Sequence, residues 1–366
     1  MRFPQFNDQW KFATISEVCK TSTGSMNTQD KIEGGAYPFY VRSSTIERAN
    51  KYTYDGIAIL TPGDGAIGKV FHYSEGKIAV HQRVYILSDI TIGTKYLFYY
   101  FADKFYNRVI RMSAKNTVDS VRMNMITDMP ISLPSLAEQE KIAGFLSLID
   151  ERIESCSETI KEIKTLKAGL LSLRVYQADK QYVPLSYFGE MKHGYPFKST
   201  SYDEDGTHRI VTISNVSGAR YADMSKCNYL AELPHDIQQH QILSRNDILI
   251  SLTGNVGRVS FCLADGDLLN QRVGVLSLCD EAYKEYIYQV LSDWRFEMSM
   301  VACGQGAAQL NISKSNVEGY LVPYEQSEYQ EIGNFFSLLD DRIEIEEELL
   351  KQYEMQKKYL LRQMFI

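Results

Sequence analysis

The stretch TPGDGAIGKVF, Thr61 to Phe71, sets Gly63, Gly68 and Lys69 at the spacing of a phosphate-binding loop. Such a loop wraps phosphates in backbone N–H groups, reaches the outer ones with its lysine and ligates magnesium through a following Ser or Thr hydroxyl. Val70 stands where that hydroxyl belongs. Lys69 to Tyr73 also reads as a strand, which removes the helix N-terminus that phosphates require. These glycines are therefore expected to make a tight turn between strands. Neither G-x-S-x-G nor H-E-x-x-H occurs, and no glycine-rich cofactor loop or Asn/Asp-Pro-Pro-aromatic motif is found. The six cysteines form no C-x-x-C pair, the six histidines no i, i+4 pair, and His235 and His240 are five apart, so no metal site is expected. The chain is expected to be non-catalytic and to bind no cofactor of its own.

The same turn recurs later as ISLTGNVGRVSF, Ile250 to Phe261. Gly65, Gly68 and Val70 map onto Gly254, Gly257 and Val259 at an offset of 189 residues, with Leu252 opposite Gly63 and Arg258 opposite Lys69. That offset also carries Gln82-Arg83-Val84 onto Gln271-Arg272-Val273, and Leu133-Pro134 onto Val322-Pro323. The chain is an internal duplication. Strand-like runs at Tyr37 to Arg42, Gly56 to Thr61 and Lys77 to Leu87 in the first copy answer to Arg209 to Ile213, Asp247 to Leu252 and Arg272 to Leu278 in the second. Each copy then carries an aromatic helical stretch, Lys95 to Arg111 or Glu281 to Met300. Each copy is thus expected to be a mixed α/β domain.

About forty residues of helical periodicity follow Pro134 and again Pro323, about 60 Å if fully helical. In the first, Ile142, Leu146, Ile149, Ile153, Cys156, Ile160 and Ile163 alternate in steps of four and three, the seam of a coiled coil. The phase then slips, continuing through Leu166, Leu170 and Leu173, as a three-residue insertion would produce. In the second, Ile332, Phe336, Leu339, Ile343, Glu346, Leu350, Tyr353, Lys357, Leu360 and Met364 hold one register, with Glu346 and Lys357 as polar seam positions. A head-to-tail repeat of domain and helix is a fused homodimer, so the helices are expected to pair antiparallel with pseudo-twofold symmetry. The expected organisation is a domain at 1–134, a helix at 135–178, a second domain at 179–322 and a helix at 323–366.

With 366 residues there is room for two cored domains. No secretory start and no apolar run near the length of a membrane span are seen, so a cytoplasmic protein is expected. The net charge of −7 is unevenly spread. Residues 1–134 hold 16 basic against 12 acidic side chains and 135–178 hold 6 against 7, whereas 179–322 hold 12 against 17 and 323–366 hold 5 against 10. The first domain could attract a polyanion through its net field, while the second would need a local basic patch.

LPSLAEQEKIAGFLSLIDERIE, Leu133 to Glu154, resembles the conserved region of the specificity subunits of Type I restriction-modification systems, through Pro134, Glu138, Gln139, Ile142, Phe145, Asp150 and Ile153. The second copy offers Pro323, Glu328, Ile332, Phe335, Asp340 and Ile343, with Tyr329 where Gln belongs. The resemblance extends to both glycine turns and to GQGAAQLNIS, Gly304 to Ser313. It implies a non-catalytic subunit with two target-recognition domains, each reading one half of a bipartite asymmetric site in double-stranded DNA. It also implies that two DNA adenine methyltransferase subunits dock on the helices and that restriction/translocase subunits join them, with S-adenosylmethionine and ATP/Mg on those partners. Two readers on one face of DNA would see half-sites about one turn, roughly 34–36 Å, apart. The rival readings are a specificity subunit of another restriction-modification type, or a coiled-coil protein adaptor without DNA binding.

Candidate DNA contacts follow from donor chemistry: Arg suits guanine, Gln and Asn suit adenine, and hydroxyls or cations suit phosphate. The repeated Gln82, Arg83, Gln271 and Arg272, with the turn cations Lys69 and Arg258, fit phosphate better than bases, because the two domains must read different sequences. A scaffold role is the competing reading of each repeated Arg. Residues that differ between the copies are the candidate base readers: Arg42, Ser43, Arg48, His81 and Asn116 in the first, and Asn215, Arg220, Asn270, Gln305 and Gln309 in the second. Helix pairing and partner docking are assigned to Ile142, Leu146, Ile149, Ile153, Ile160, Ile332, Phe336, Leu339, Ile343 and Leu350.

Overall fold

The computed structural model describes residues 2–112, 120–177, 180–304 and 310–365. The chain divides into two compact units, Met1–Ser157 with Glu348–Ile366, and Glu158–Glu347. In the first, Lys11–Thr14 pairs antiparallel with Pro130–Leu133. An antiparallel sheet follows the spatial order Lys20–Thr23, Val84–Ser88, Ala58–Pro62, His72–Ser74. Of its two inner strands, Ala58–Pro62 is buried throughout, which is why its apolar residues run together rather than alternate. A second sheet is ordered Ile46–Ala49, Tyr37–Tyr40, Lys77–Val80, Tyr54–Asp55, and its two middle strands run parallel.

The second unit repeats this plan. Gln181–Pro184 pairs with Leu321–Tyr324, and Gly189–His193, Val273–Leu278, Ile248–Ser251, Val259–Phe261 form the antiparallel sheet. His208–Val211 lies parallel to Leu268–Leu269, with Asn228–Leu230 on its other side. Duplication in sequence is therefore duplication of topology, down to a parallel strand pair in each copy.

At the repeated turn, Gly65 and Gly68 have φ of 71° and 64°, and Gly254 and Gly257 have 71° and 80°, conformations that side chains resist. A Cβ on Gly68 would come within 2.8 Å of the Tyr106 ring, and one on Gly257 within 2.8 Å of the Met300 Cβ. The glycines thus let a tight turn press against the helical layer of each unit, and the element that follows Lys69 is the strand His72–Ser74, not a helix.

Two expected elements are broken. The run Lys77 to Leu87 is two strands, Lys77–Val80 and Val84–Ser88, because His81-Gln82-Arg83 leaves the ladder. The stretch Glu281 to Met300 is a 3-10 turn at Glu281–Tyr283 followed by helices Lys284–Leu291 and Trp294–Cys303; Asp293 starts the last by accepting from the Arg295 N–H. The equivalent stretch of the first unit is one unbroken helix, Thr94–Met112. Its Tyr96, Phe101 and Phe105 are buried, and the last two rings stack 4.5 Å apart.

The two long helices are Leu136–Arg174, 39 residues, and Tyr329–Met364, 36 residues. The first begins at a latch. Buried Glu138 takes a fork of two 2.7 Å bonds from Arg2. Gln139 donates to the Pro134 carbonyl at 2.9 Å and accepts the Gly93 N–H at 2.9 Å. In the second unit Glu328 accepts from Lys180 at 2.6 Å, and Tyr329, in the position of the missing Gln, packs its ring on Tyr283 at 4.8 Å.

Within the first unit, Ile142, Leu146 and Ile149 join a core that includes Tyr96, Phe101, Leu360, Met364 and Phe365, with Ile153 packed against its edge. Within the second, Leu171, Val175 and Phe336 share a core with Phe188 and Phe261, and Ile332 and Leu339 pack against it. Ile160 and Ile343 are buried, and Leu350 is half-buried. The facing helix segments run antiparallel: Lys164 meets Glu347 and, three residues on, Lys167 meets Asp340.

The expected phase slip is absent. Leu166 and Leu173 are 52% and 67% exposed, while Ile163, Lys167 and Leu170 continue the original register on the half-buried side. The seam runs through Lys167, whose charge hides it from a search for apolar residues. Burial lowers the pKa of this ammonium, and the Asp340 carboxylate 2.5 Å away opposes that shift. The other polar seam positions behave alike: Glu346 is buried and accepts from Arg342, and Lys357 pairs with Asp150.

No described helix is long and apolar enough to cross a membrane. Among the described residues no group of three or more His, Cys, Asp or Glu could hold a metal ion.

Candidate nucleic-acid interface

The break at His81-Gln82-Arg83 and its counterpart at Asn270-Gln271-Arg272 have one geometry. The Gln82 N–H donates to the Met26 carbonyl at 2.8 Å, and that of Gln271 to Tyr195 at 3.0 Å. The Val84 N–H reaches back to His81 at 2.9 Å, and that of Val273 to Asn270 at 2.9 Å. Gly63 and Leu252 in turn donate to the carbonyls of Arg83 and Arg272. In each copy the first residue of the triplet points inward and closes the turn: the Arg83 N–H donates to His81 Nδ1 at 3.1 Å, and the Arg272 N–H to Asn270 Oδ1 at 3.2 Å. His81 and Asn270, expected among the base readers, are 4% and 8% exposed and serve this turn. Burial, and then the nearby Arg42 cation, lower the His81 pKa, which keeps Nδ1 available as an acceptor.

The turn thereby pushes Gln82, Arg83, Gln271 and Arg272 outward, where all four are exposed. Gln82 and Arg83 line a polar cleft of about 560 Å³ with Asn27, Thr28, Gln29, Arg42 and His81. Gln271 and Arg272 line one of about 720 Å³ with His193, Thr253, Asn311, Ser313, Lys314 and Ser315. Asp64 organises the first cleft: it pairs with Arg83 at 2.8 Å and Arg42 at 3.4 Å, while the two arginines stay 62% and 49% exposed. In the second, Lys314 pairs with Glu190 at 2.5 Å and Glu318 at 3.6 Å, and among the described residues Arg272 makes no ion pair. Each unit thus presents an open cleft of hydroxyl, amide and guanidinium donors suited to phosphate oxygens and base edges.

Other candidates are placed differently. Arg48 spends its guanidinium on the carbonyls of Gly35 and Ala36 at 2.8 and 3.1 Å. Asn215, 1% exposed, accepts from the Thr212 N–H and donates to the carbonyls of Asp223 and Lys226. Arg220 lies over the Phe261 and Tyr288 rings and bonds Glu285, Asp340 and Ser337. These three hold local structure, and none lines either cleft. Ser43 and Lys69 are exposed outside the first cleft, and Arg258 pairs with Glu297 at 3.5 Å. Asn116, Gln305 and Gln309 lie outside the described residues.

Sequence reading missed Asn27, Thr28 and Gln29 in the first cleft and Thr253, Asn311, Ser313, Lys314 and Ser315 in the second. Ser313 had a visible signal, since it ends the GQGAAQLNIS stretch. Asn27 to Gln29 had none, because small polar residues in a loop read as turn chemistry wherever they occur.

The family profile described as Type I restriction modification DNA specificity domain matches twice, over residues 7–165 and 178–355. The Type I restriction enzyme EcoDI specificity subunit of Escherichia coli is 28% identical over 154 residues, an alignment spanning 42% of this chain and only 34% of that protein. The MjaVIII specificity subunit of Methanocaldococcus jannaschii is 22% identical, with 97% of this chain and 91% of that one covered. In fold, the crystal structure of the Type I restriction-modification system S subunit from M. genitalium superposes with a TM-score of 0.72 at 18% identity, covering 100% of this chain and 97% of that one.

Proposed function

We propose that this chain, which belongs to the family of Type I restriction modification DNA specificity domains, is the non-catalytic subunit that gives such a complex its DNA sequence specificity. One observation carries the reading to residues. The same backbone turn, built twice, exposes Gln-Arg in the lining of a polar cleft in each unit, and the other lining residues come from different segments of the two units. Shared donors suit the phosphate backbone, which is the same everywhere, and differing donors suit bases, so the two units read different half-sites. A bipartite, asymmetric target in double-stranded DNA follows.

The test is the salt dependence of DNA binding by the chain assembled with its partners. If Arg272 holds a phosphate, Arg272→Ala weakens binding alike on cognate and unrelated duplexes and lowers the slope of log K against log salt by about one. An unchanged slope returns Arg272 to the scaffold.

The partners proposed are DNA adenine methyltransferase subunits, which would bring S-adenosylmethionine, with restriction/translocase subunits bringing ATP and magnesium. Their docking face is not the seam, because Ile142, Leu146, Ile149 and Phe336 are consumed in the cores of their own units. A matched pair of positions on the opposite face is available: Leu148 is 59% exposed, and Leu338, 190 residues later, is 68% exposed beside Phe335 at 47%. Large apolar side chains held in water at the same place in both copies fit a partner that binds twice.

A further inference from the structure

The aspartate of the repeated Asp-x-x-Ile pattern does not face either cleft. In the first unit, Asp150 on the first long helix accepts the Tyr99 hydroxyl at 2.7 Å through Oδ2 and meets Lys357 of the other long helix at 2.5 Å through Oδ1. In the second, Asp340 accepts the Gln289 amide at 2.7 Å through Oδ2 and Lys167 of the other long helix at 2.5 Å through Oδ1. Tyr99 and Gln289 both lie on helices of the recognition domains, Thr94–Met112 and Lys284–Leu291. All three positions repeat at one offset of 190 residues: Asp150 to Asp340, Lys357 from Lys167, Gln289 from Tyr99. A fourth does too, Ser147 to Ser337; the first lies 3.3 Å from the Tyr99 hydroxyl, and the second accepts from Arg220 at 3.0 Å.

We infer that Asp150 and Asp340 are positioning residues, each tying a recognition domain's own helix and the facing long helix to one carboxylate and so fixing the angle at which that domain offers its cleft to DNA. The geometry has the form such a joint requires. Three elements meet at one small side chain, the two carboxylate oxygens are divided between domain and helix, and the arrangement is kept although the domain's donor changes from a phenol to an amide. A seam charge that served helix pairing alone would need no partner on the domain. The joints differ in strength. That of the second unit is drier and adds Arg220 and Glu285, with Lys167 and Arg220 only 15% and 13% exposed, whereas Lys357 and Asp150 are 28% and 34% exposed.

The inference rests on the DNA-reading function proposed above. If each domain's angle is held by its joint, loosening one lets that domain reach a half-site slightly nearer or farther. The experiment maps adenine methylation in the host, with the full-length chain and its natural partners, for Asp150→Lys, Lys357→Asp, the two together, and Tyr99→Phe. The single variants and Tyr99→Phe are expected to keep both half-site sequences but to methylate sites whose spacer differs by one base pair up to about fivefold more than the unaltered chain does, the size that a partly exposed ion pair permits. The double exchange restores the ion pair and the single spacer. Tyr99→Phe keeps the ring and its packing, so it tests the joint even where a charge change impairs folding. Methylation at the original spacer only, an equal fall at every spacer, or relaxation that the double exchange does not repair would each overturn the joint. Absence of any split motif with the unaltered chain would instead strike the function on which it rests.

Discussion

Replacing Asp340 with Ala is expected to lower the stability of its unit by about 3–5 kcal/mol, while Asp150→Ala costs its own unit about 1 kcal/mol or less. The chemistry is the same and the positions are equivalent, so the contrast comes from water. Asp340 sits between Lys167 and Arg220, both largely withdrawn from solvent, and it also satisfies the Gln289 amide. Removing it leaves one cation without its counter-charge; Glu285 still serves Arg220, but Lys167 has no other ion-pair partner among the described residues. Lys357, released from Asp150, can turn into water. The pKa of Lys167 is already lowered by burial, so part of the lost stability should return at alkaline pH, where the orphaned ammonium can shed its proton. Urea unfolding followed separately for the two units measures both variants, and equal losses would contradict this account of the joints.

Leu148→Glu combined with Leu338→Glu is expected to abolish association with the proposed methyltransferase subunits and leave both units folded. Both side chains project into water, so the exchanges cost the fold at most about 0.5 kcal/mol each. At a buried interface a leucine that anchors a partner is worth about 2 kcal/mol, or roughly thirtyfold in affinity per site, and a carboxylate in its place adds a desolvation cost. The measurement is co-purification of the tagged chain with its partners beside a melting curve of the chain alone. Undiminished co-purification would take these leucines out of the docking face. Loss of the melting transition would mean instead that the helices need them.

Much of the architecture could be read before any coordinates because the duplication is written in residues with strict physical demands. Glycines at positive φ tolerate few substitutes, so they recur at a constant offset, as the Gln-Arg-Val turn also does, while the loops between them drift. The heptad seam was legible as far as Ile163 and then lost at Lys167, where a lysine fills a position that a hydrophobic search expects to be apolar. The aspartate that explains that lysine lies 173 residues away. Distance in sequence likewise hid the scaffold role of Arg220, whose acidic partners are 65 and 120 residues further on. Asn215 is ambiguous for the opposite reason: its partners are local, but an Asn that ties a loop together and an Asn that reads adenine look the same in one sequence. The outward Gln-Arg pairs were legible through repetition alone, and the inward residue before each, His81 or Asn270, was not, because two different side chains supply one acceptor to the same backbone N–H.

The central claim, that this chain chooses the DNA sequence on which a complex acts, is tested most directly by mapping adenine methylation across the genome of the host and of the same strain lacking this gene. The account predicts that methylation vanishes at one motif, split by a fixed spacer, with two unlike halves, and persists elsewhere. The same methylation pattern with and without the gene would contradict it.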